Sequence, residues 1–188
     1  MSIQKIVVIA AAVGLTFKLL QVVFMVKKAG GELYGRPVLP GYWVLFAKFA
    51  IILPFVSALS HTVGNIPQNT DLPRILVHFG TVVMVAATIF LVLSLDHLGR
   101  FTKMGLPVKD TIRLQTAGIY RFSRNPMYLG LILLAIASVL MVPDILSIIS
   151  GITGIILHHL IILREEHFLK GRFGQEYIDY QSKTRRYL

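Results

Sequence analysis

Side chains able to do chemistry gather in two short stretches of this sequence. The first is Gly118-Ile119-Tyr120-Arg121-Phe122-Ser123-Arg124-Asn125-Pro126-Met127-Tyr128. Asn followed by Pro marks a helix start: Asn125 can cap, and Pro126 suits the first helical position, where its missing N–H is no loss. The N–H groups of such a helix start, with Arg124 beside them, suit an anion such as a carboxylate. The same unit would also serve as an interfacial cap with Arg124 on lipid phosphate. The second stretch opens Arg164-Glu165-Glu166-His167. Adjacent helical residues point about 100° apart, so one carboxylate of the pair is expected to face any given cavity. The plainer alternative pairs Glu166 with Lys170 at i,i+4 on a solvated face. His158 and His159 lie one heptad earlier, on similar faces, but no further ligands stand at suitable spacing and no metal site is expected. The chain has no cysteine, which excludes disulfides, a thiol nucleophile and a Cys-ligated metal.

These groups are carried by an apolar chain. Of 188 residues, 55% are hydrophobic and 15% charged, the latter against about 25% in an ordinary soluble domain. A small soluble core cannot hide that excess, so lipid is the expected solvent. Apolar runs long enough to span cover about residues 6–26, 42–63 (interrupted by Pro54) and 75–95. A longer run, 127–163, is broken at Pro143-Asp144 and reads as a helical hairpin with short or tilted arms. The start of the chain has some features of a signal peptide, but its apolar run is too long for one and is read as a retained span. The expectation is an all-α polytopic membrane helix bundle of about five transmembrane helices. It forms a single domain, 1–188, with three helices in 1–97 and the hairpin and tail in 98–188.

Charge orients it. Lys27, Lys28 and Arg36 follow the first span; Arg100, Lys103, Lys109, Arg113, Arg121 and Arg124 follow the third; Arg164, Lys170, Arg172, Lys183, Arg185 and Arg186 follow the fifth. The opposite side holds Lys5 and Arg74. The positive-inside rule then places the N-terminus outside and the C-terminus in the cytoplasm, in a cell inner membrane. The formal net charge of +10 belongs to these loops, and nucleic acid is not an expected partner. Within spans, Lys48 is read as snorkelling to the headgroups, while Lys18 either does the same or lines a cavity. Ser147 with Gly151, and Ser150 with Gly154, suit close helix packing. The basic, amphipathic tail would, as the plainer reading, lie on anionic headgroups.

Taken in order, Gly118-Ile119-Tyr120, Arg124-Asn125-Pro126-Met127-Tyr128, an apolar hairpin, Glu165-Glu166, Phe173-Gly174-x-Glu176-Tyr177-x-x-Tyr180 and Arg186 resemble the isoprenylcysteine carboxyl methyltransferase family. The related phospholipid methyltransferases share much of the pattern. The resemblance covers roughly the last ninety residues; the earlier part matches only as hydrophobic spans. It implies an S-adenosyl-L-methionine pocket on the cytoplasmic side, closed by the segment after the third helix and by the tail. Gly118, Tyr120, Arg124, Asn125, Pro126, Tyr128, Glu165 and Glu166 would bind the cofactor, and Arg186 would close the pocket or hold an acid group of the acceptor. The acceptor would be a membrane lipid or a prenylated or other lipophilic molecule entering from the bilayer. One departure stands out: the eukaryotic-type motif reads Arg-His-Pro where this chain has Arg-Asn-Pro. Asn125 can donate a hydrogen bond but cannot carry a charge, so proton transfer there is excluded.

Methyl transfer from a sulfonium needs alignment and exclusion of water. A carboxylate acceptor needs no base and suits Arg186, and the resemblance is closest to enzymes of that kind, so a carboxylate is the first expectation. An amine acceptor, as in phospholipid N-methylation, needs a base, for which Glu165 or Glu166 would serve. Glu165, Glu166 and Arg186 are thus the expected catalytic residues. A non-catalytic lipid-binding or assembly protein of the same fold is the alternative of another class, and a nicotinamide-dependent membrane reductase a more distant one.

Overall fold

The computed structural model of the chain describes residues 2–28, 40–66, 73–98 and 114–188. Arg36, Arg100, Lys103, Lys109, Arg113 and most of the irregular segment expected between residues 98 and 118 lie outside the described residues, as does most of the 64–73 connector. Among the described residues the helices are α1 (Ile3–Lys28), α2 (Gly41–Val63), α3 (Arg74–Leu98), α4 (Pro126–Met141), α5 (Ile145–Phe173) and α6 (Gln175–Lys183), with a 3-10 turn at Gly118–Arg121 before α4. The described residues form no strand. The all-α membrane bundle expected from hydropathy is what forms.

Four of these helices, α1, α2, α3 and α5, are long and apolar enough to cross a membrane, and α4 is a shorter apolar helix. Their outer faces carry large exposed apolar side chains, among them Phe17, Phe24, Phe49, Phe79 and Ile149. In water such continuous apolar surface would drive association; against lipid tails it costs nothing. Pro54 does not end α2, which runs on to Val63, because neighbouring helices shield the backbone groups that a proline leaves without partners.

The two arms of the expected hairpin differ. The turn is closed by Asp144, whose carboxylate caps α5 by accepting from the Ser147 N–H at 2.8 Å. From there α5 runs 29 residues, about 43 Å by helix rise, and so is not short. By contrast α4 has 16 residues, about 24 Å, which is less than the roughly 30 Å hydrocarbon thickness. The arms also pack mainly on other partners: α4 lies along α3, and α5 along α2.

Helix contacts fix which ends share a side. Lys5 at the start of α1 hydrogen-bonds Asn65 after α2, and Ser57 near the end of α2 donates to Asp144 at 2.7 Å. At the other end Lys18 of α1 forms an ion pair with Asp96 of α3. Lys18 thus acts as a tie between helices. The chain alternates sides in the order that five crossings require. A core of Val8, Ala11, Ala58, Met84, Ala87 and Ala137 brings α1 to α4 together, the alanines allowing close approach where apolar burial alone gives no preference over lipid. Between α2 and α5 the approach is closer still: a Cβ on Gly154 would lie 2.6 Å from the Ile51 backbone nitrogen.

Candidate active site at the head of helix 4

Asn125 occupies the cap position of α4 with Pro126 next, as the dipeptide predicts, but its side chain makes no capping bond. The Asn125 Nδ2 donates instead to Glu166 Oε1 at 2.9 Å and to the Arg186 carbonyl at 3.3 Å. Arg124 turns the same way. Its Nη2 lies 3.1 Å from Glu166 Oε1, and its Nη1 donates to the Thr184 carbonyl at 2.6 Å. Arg186 approaches the other carboxylate oxygen, with Nη2 at 2.9 Å and Nε at 3.1 Å from Oε2. That carboxylate holds the Arg186 guanidinium above its ordinary pKa.

Two of the alternatives left open by the sequence are decided here. Glu166 is buried, its side chain 6% exposed, and pairs with two arginines, not with Lys170 on a solvated face. Arg124, its side chain 10% exposed, is turned into the protein and away from lipid phosphate. A buried carboxylate carrying two guanidiniums and an amide is a satisfied ionic network, which orders the pieces it joins. The pieces are the head of α4, the lower part of α5 and the C-terminal tail.

The tail is decided as well. It does not lie on headgroups with its apolar face down. It folds back through Gly174, whose φ of +54° belongs to the left-handed region that glycine tolerates, and buries Tyr177 and Tyr180. The Tyr180 hydroxyl donates to the Tyr120 carbonyl at 2.6 Å. Ser123 Oγ donates to the Arg186 carbonyl at 3.1 Å, and the Arg124 N–H to the Arg185 carbonyl at 2.9 Å. Tyr187 hydrogen-bonds His159 at 2.7 Å.

Glu165 faces elsewhere. Its Oε1 accepts from the Tyr128 hydroxyl at 2.9 Å. The Tyr128 ring lies against His158, centroids 5.7 Å apart, and His158 is buried with Nδ1 2.8 Å from the Gly154 carbonyl. The heptad spacing is thus realised: His158 and Glu165 look toward α2 and α4, His159 and Glu166 toward the tail. Burial, with Tyr180 and Glu165 nearby, pushes the Tyr120 phenol well above its ordinary value. The 3-10 turn that carries Tyr120 starts at Gly118, with φ +62°; a Cβ there would meet the His97 ring at 1.8 Å. His97, Gly118 and Ile119 line, with Ile89, Phe90 and Leu93, an apolar groove of about 490 Å³.

All the sequence-derived residues, Gly118, Tyr120, Arg124, Asn125, Pro126, Tyr128, Glu165, Glu166 and Arg186, meet at this one end of the bundle. A family model described as phospholipid methyltransferase matches residues 75–176, more than half of the chain. The chain belongs to this family. The matched region runs from α3 through the site into α6, so the head of α4 and the Glu165-Glu166 pair both fall inside it, while Arg186 lies beyond it. No curated protein matches the chain at a significant level. Membership makes this an integral membrane methyltransferase whose family acts on lipid-type substrates.

Sequence reasoning missed several members of the site. Lys48 faces Glu165 electrostatically but was assigned to the headgroups. Tyr177, Tyr180 and Thr184 dock the tail; the i,i+3 spacing of the two tyrosines was the available sign. His97 and Ser123 gave no sign in the sequence.

Proposed function

We propose that this protein transfers a methyl group from S-adenosyl-L-methionine to a lipophilic acceptor at the cytoplasmic face of the membrane. The observation that carries the reading is the convergence of Arg124, Asn125, Tyr128, Glu165 and Glu166 on one helix head. The donor set fits the cofactor. A methionine moiety requires a cation or N–H groups for its carboxylate and an acidic group for its ammonium, and ribose hydroxyls require acceptors. Arg124, Asn125 and the start of α4 supply the former; Glu166 and the Tyr128 hydroxyl supply the latter, and Glu165 is left for the acceptor. Gly118, Tyr120 and Pro126 give the site its backbone shape, and Arg186 with the tail closes it from the aqueous side. Bound there, the cofactor would supply an electrophilic methyl carbon on a sulfonium, displaced in line by the acceptor.

The two carboxylates divide the work. Glu166, held by two guanidiniums, is a poor proton acceptor and serves to hold the site together. Glu165 has the Tyr128 hydroxyl on one oxygen and faces the apolar interior. It is the base for an amine acceptor: it takes the proton of the ammonium, and the freed nitrogen lone pair forms the new N–C bond as the C–S pair returns to sulfur. This favours an amine-bearing phospholipid headgroup. A carboxylate acceptor is the second reading, favoured by the Arg186 side chain, which remains 35% exposed at the edge of the site. The basic residues Lys27, Lys28, Arg121, Arg164, Arg172 and Lys183 at the tail end support a cytoplasmic C-terminus.

Purified protein in nanodiscs, given radiolabelled S-adenosyl-L-methionine and phosphatidylethanolamine, should yield labelled mono- and dimethylated lipid. Label in a base-labile methyl ester of an added prenylcysteine, and none in the phospholipid, would replace the amine reading by the carboxylate one. Label in neither would remove both.

A further inference from the structure

Helices α2 and α5 are antiparallel and touch at Ile51 and Gly154. From that contact toward the tail end of the bundle, Lys48 lies one turn along α2 and His158 one turn along α5. Glu165 lies eleven residues from Gly154, about three full turns, and so returns to the same face of α5. Helical side chains lean toward the N-terminus of their own helix. In α2 that direction is toward the tail end; in α5 it is toward the membrane interior. The Lys48 ammonium and the Glu165 carboxylate therefore approach each other from opposite sides, and each feels the other's charge. Both residues are half-buried. Tyr128 of α4 bridges the group, donating to Glu165 at 2.9 Å with its ring tilted against that of His158, centroids 5.7 Å apart. This second polar cluster is separate from the Glu166 network.

We propose that Lys48 and Glu165 form a headgroup subsite for a zwitterionic phospholipid, Lys48 taking the phosphate and Glu165 the ammonium. This rests on the lipid-methylating reading above and names what recognises the acceptor. A cation and an anion presented from facing helices match a phosphate and an ammonium joined by two carbons. Each then replaces the partner that the other offers without the lipid, so no charge is left bare. The assignment makes Lys48 a specificity-determining residue: it binds the group next to the nucleophile and leaves Glu165 to handle the proton.

The test uses the full chain in detergent, with S-adenosyl-L-methionine binding measured first by calorimetry. Affinity is then measured for dihexanoyl phosphatidylethanolamine and for dihexanoylglycerol, which has the same chains and no headgroup. Wild type should prefer the phospholipid. Lys48→Met should lose about tenfold or more in affinity for it, the worth of one charge-assisted hydrogen bond, and nothing for dihexanoylglycerol; Lys48→Arg should recover most of the loss. In turnover with phosphatidylethanolamine, Lys48→Met should raise KM more than it lowers kcat. If Lys48→Met lowers the melting temperature yet keeps the wild-type preference for the phospholipid, the pair is merely a tie between α2 and α5 and the proposal is overturned. A wild type that binds the phospholipid through Lys48 but takes up no S-adenosyl-L-methionine would leave the subsite and remove the transferase reading. One that binds the cofactor but shows no headgroup preference would do the reverse.

Discussion

Two adjacent glutamates in this chain have opposite fates because a helix turns about 100° per residue. Glu166 faces two arginines and the tail; Glu165 faces a tyrosine, a histidine and a lysine. Removing Glu166 leaves Arg124 buried without its counter-charge, which costs about 3 kcal/mol or more. Glu166→Ala is therefore expected to lower the melting temperature in detergent and to expose the 183–188 segment to trypsin. Unchanged melting and an intact tail would show that the network orders nothing. Glu165→Gln keeps the shape and removes the base. Its kcat with an amine acceptor should fall about 100-fold or more, well beyond any change in cofactor affinity, as read from initial rates over a range of cofactor concentrations. A pH effect also belongs at this scale. Burial, reinforced by the Glu166 charge, pushes the Tyr177 phenol up to about 12. The folded state thus favours the neutral phenol. Its contribution to docking α6 is complete below the ordinary value of about 10 and is lost as pH rises through about 12. Tyrosinate absorbance and tryptic release of the tail should rise together over that window.

Helices were legible from the sequence where lipid dictates composition. The first three spans were placed within a few residues, since about 20 apolar residues in a row have few other uses, whereas α5 runs ten residues past the apolar stretch, to Phe173. The small residues Gly151 and Gly154 were read correctly as packing positions, and the His158–Glu165 spacing as a shared face. Gly154→Leu should drive a side chain into the Ile51 backbone, part α2 from α5 and separate Lys48 from Glu165; thermal melting should show a loss of roughly 1–3 kcal/mol or failure to fold. What escaped was set by partners distant in sequence. The Arg124 and Asn125 side chains could have served lipid, helix end or carboxylate, and the choice depended on Thr184 and Arg186, some 60 residues on, folding back. Likewise the tail's amphipathic pattern is the same whether its apolar face meets headgroups or protein. Lys48 had the pattern of a snorkelling lysine, and the position of Glu165 beyond it depends on how two helices cross.

For the molecule as a whole, the alternation of helix ends through Lys5–Asn65, Ser57–Asp144, Lys18–Asp96 and Arg124–Glu166 puts the two termini at opposite ends of the bundle. The absence of native cysteine makes this directly testable. A single cysteine replacing Ser2 should react with an impermeant maleimide added outside intact cells, and one replacing Ser182 should react only after lysis; the reverse pattern would invert the proposed orientation. The measurement that tests this account most directly is S-adenosyl-L-methionine binding by calorimetry to the purified, folded protein in nanodiscs, with Arg124→Lys beside the wild type. Saturable binding with one cofactor per chain, weakened at least about tenfold where the guanidinium fork is lost, is the predicted result. No heat of binding from a wild type shown to be helical and monodisperse, with and without added phospholipid, would contradict it.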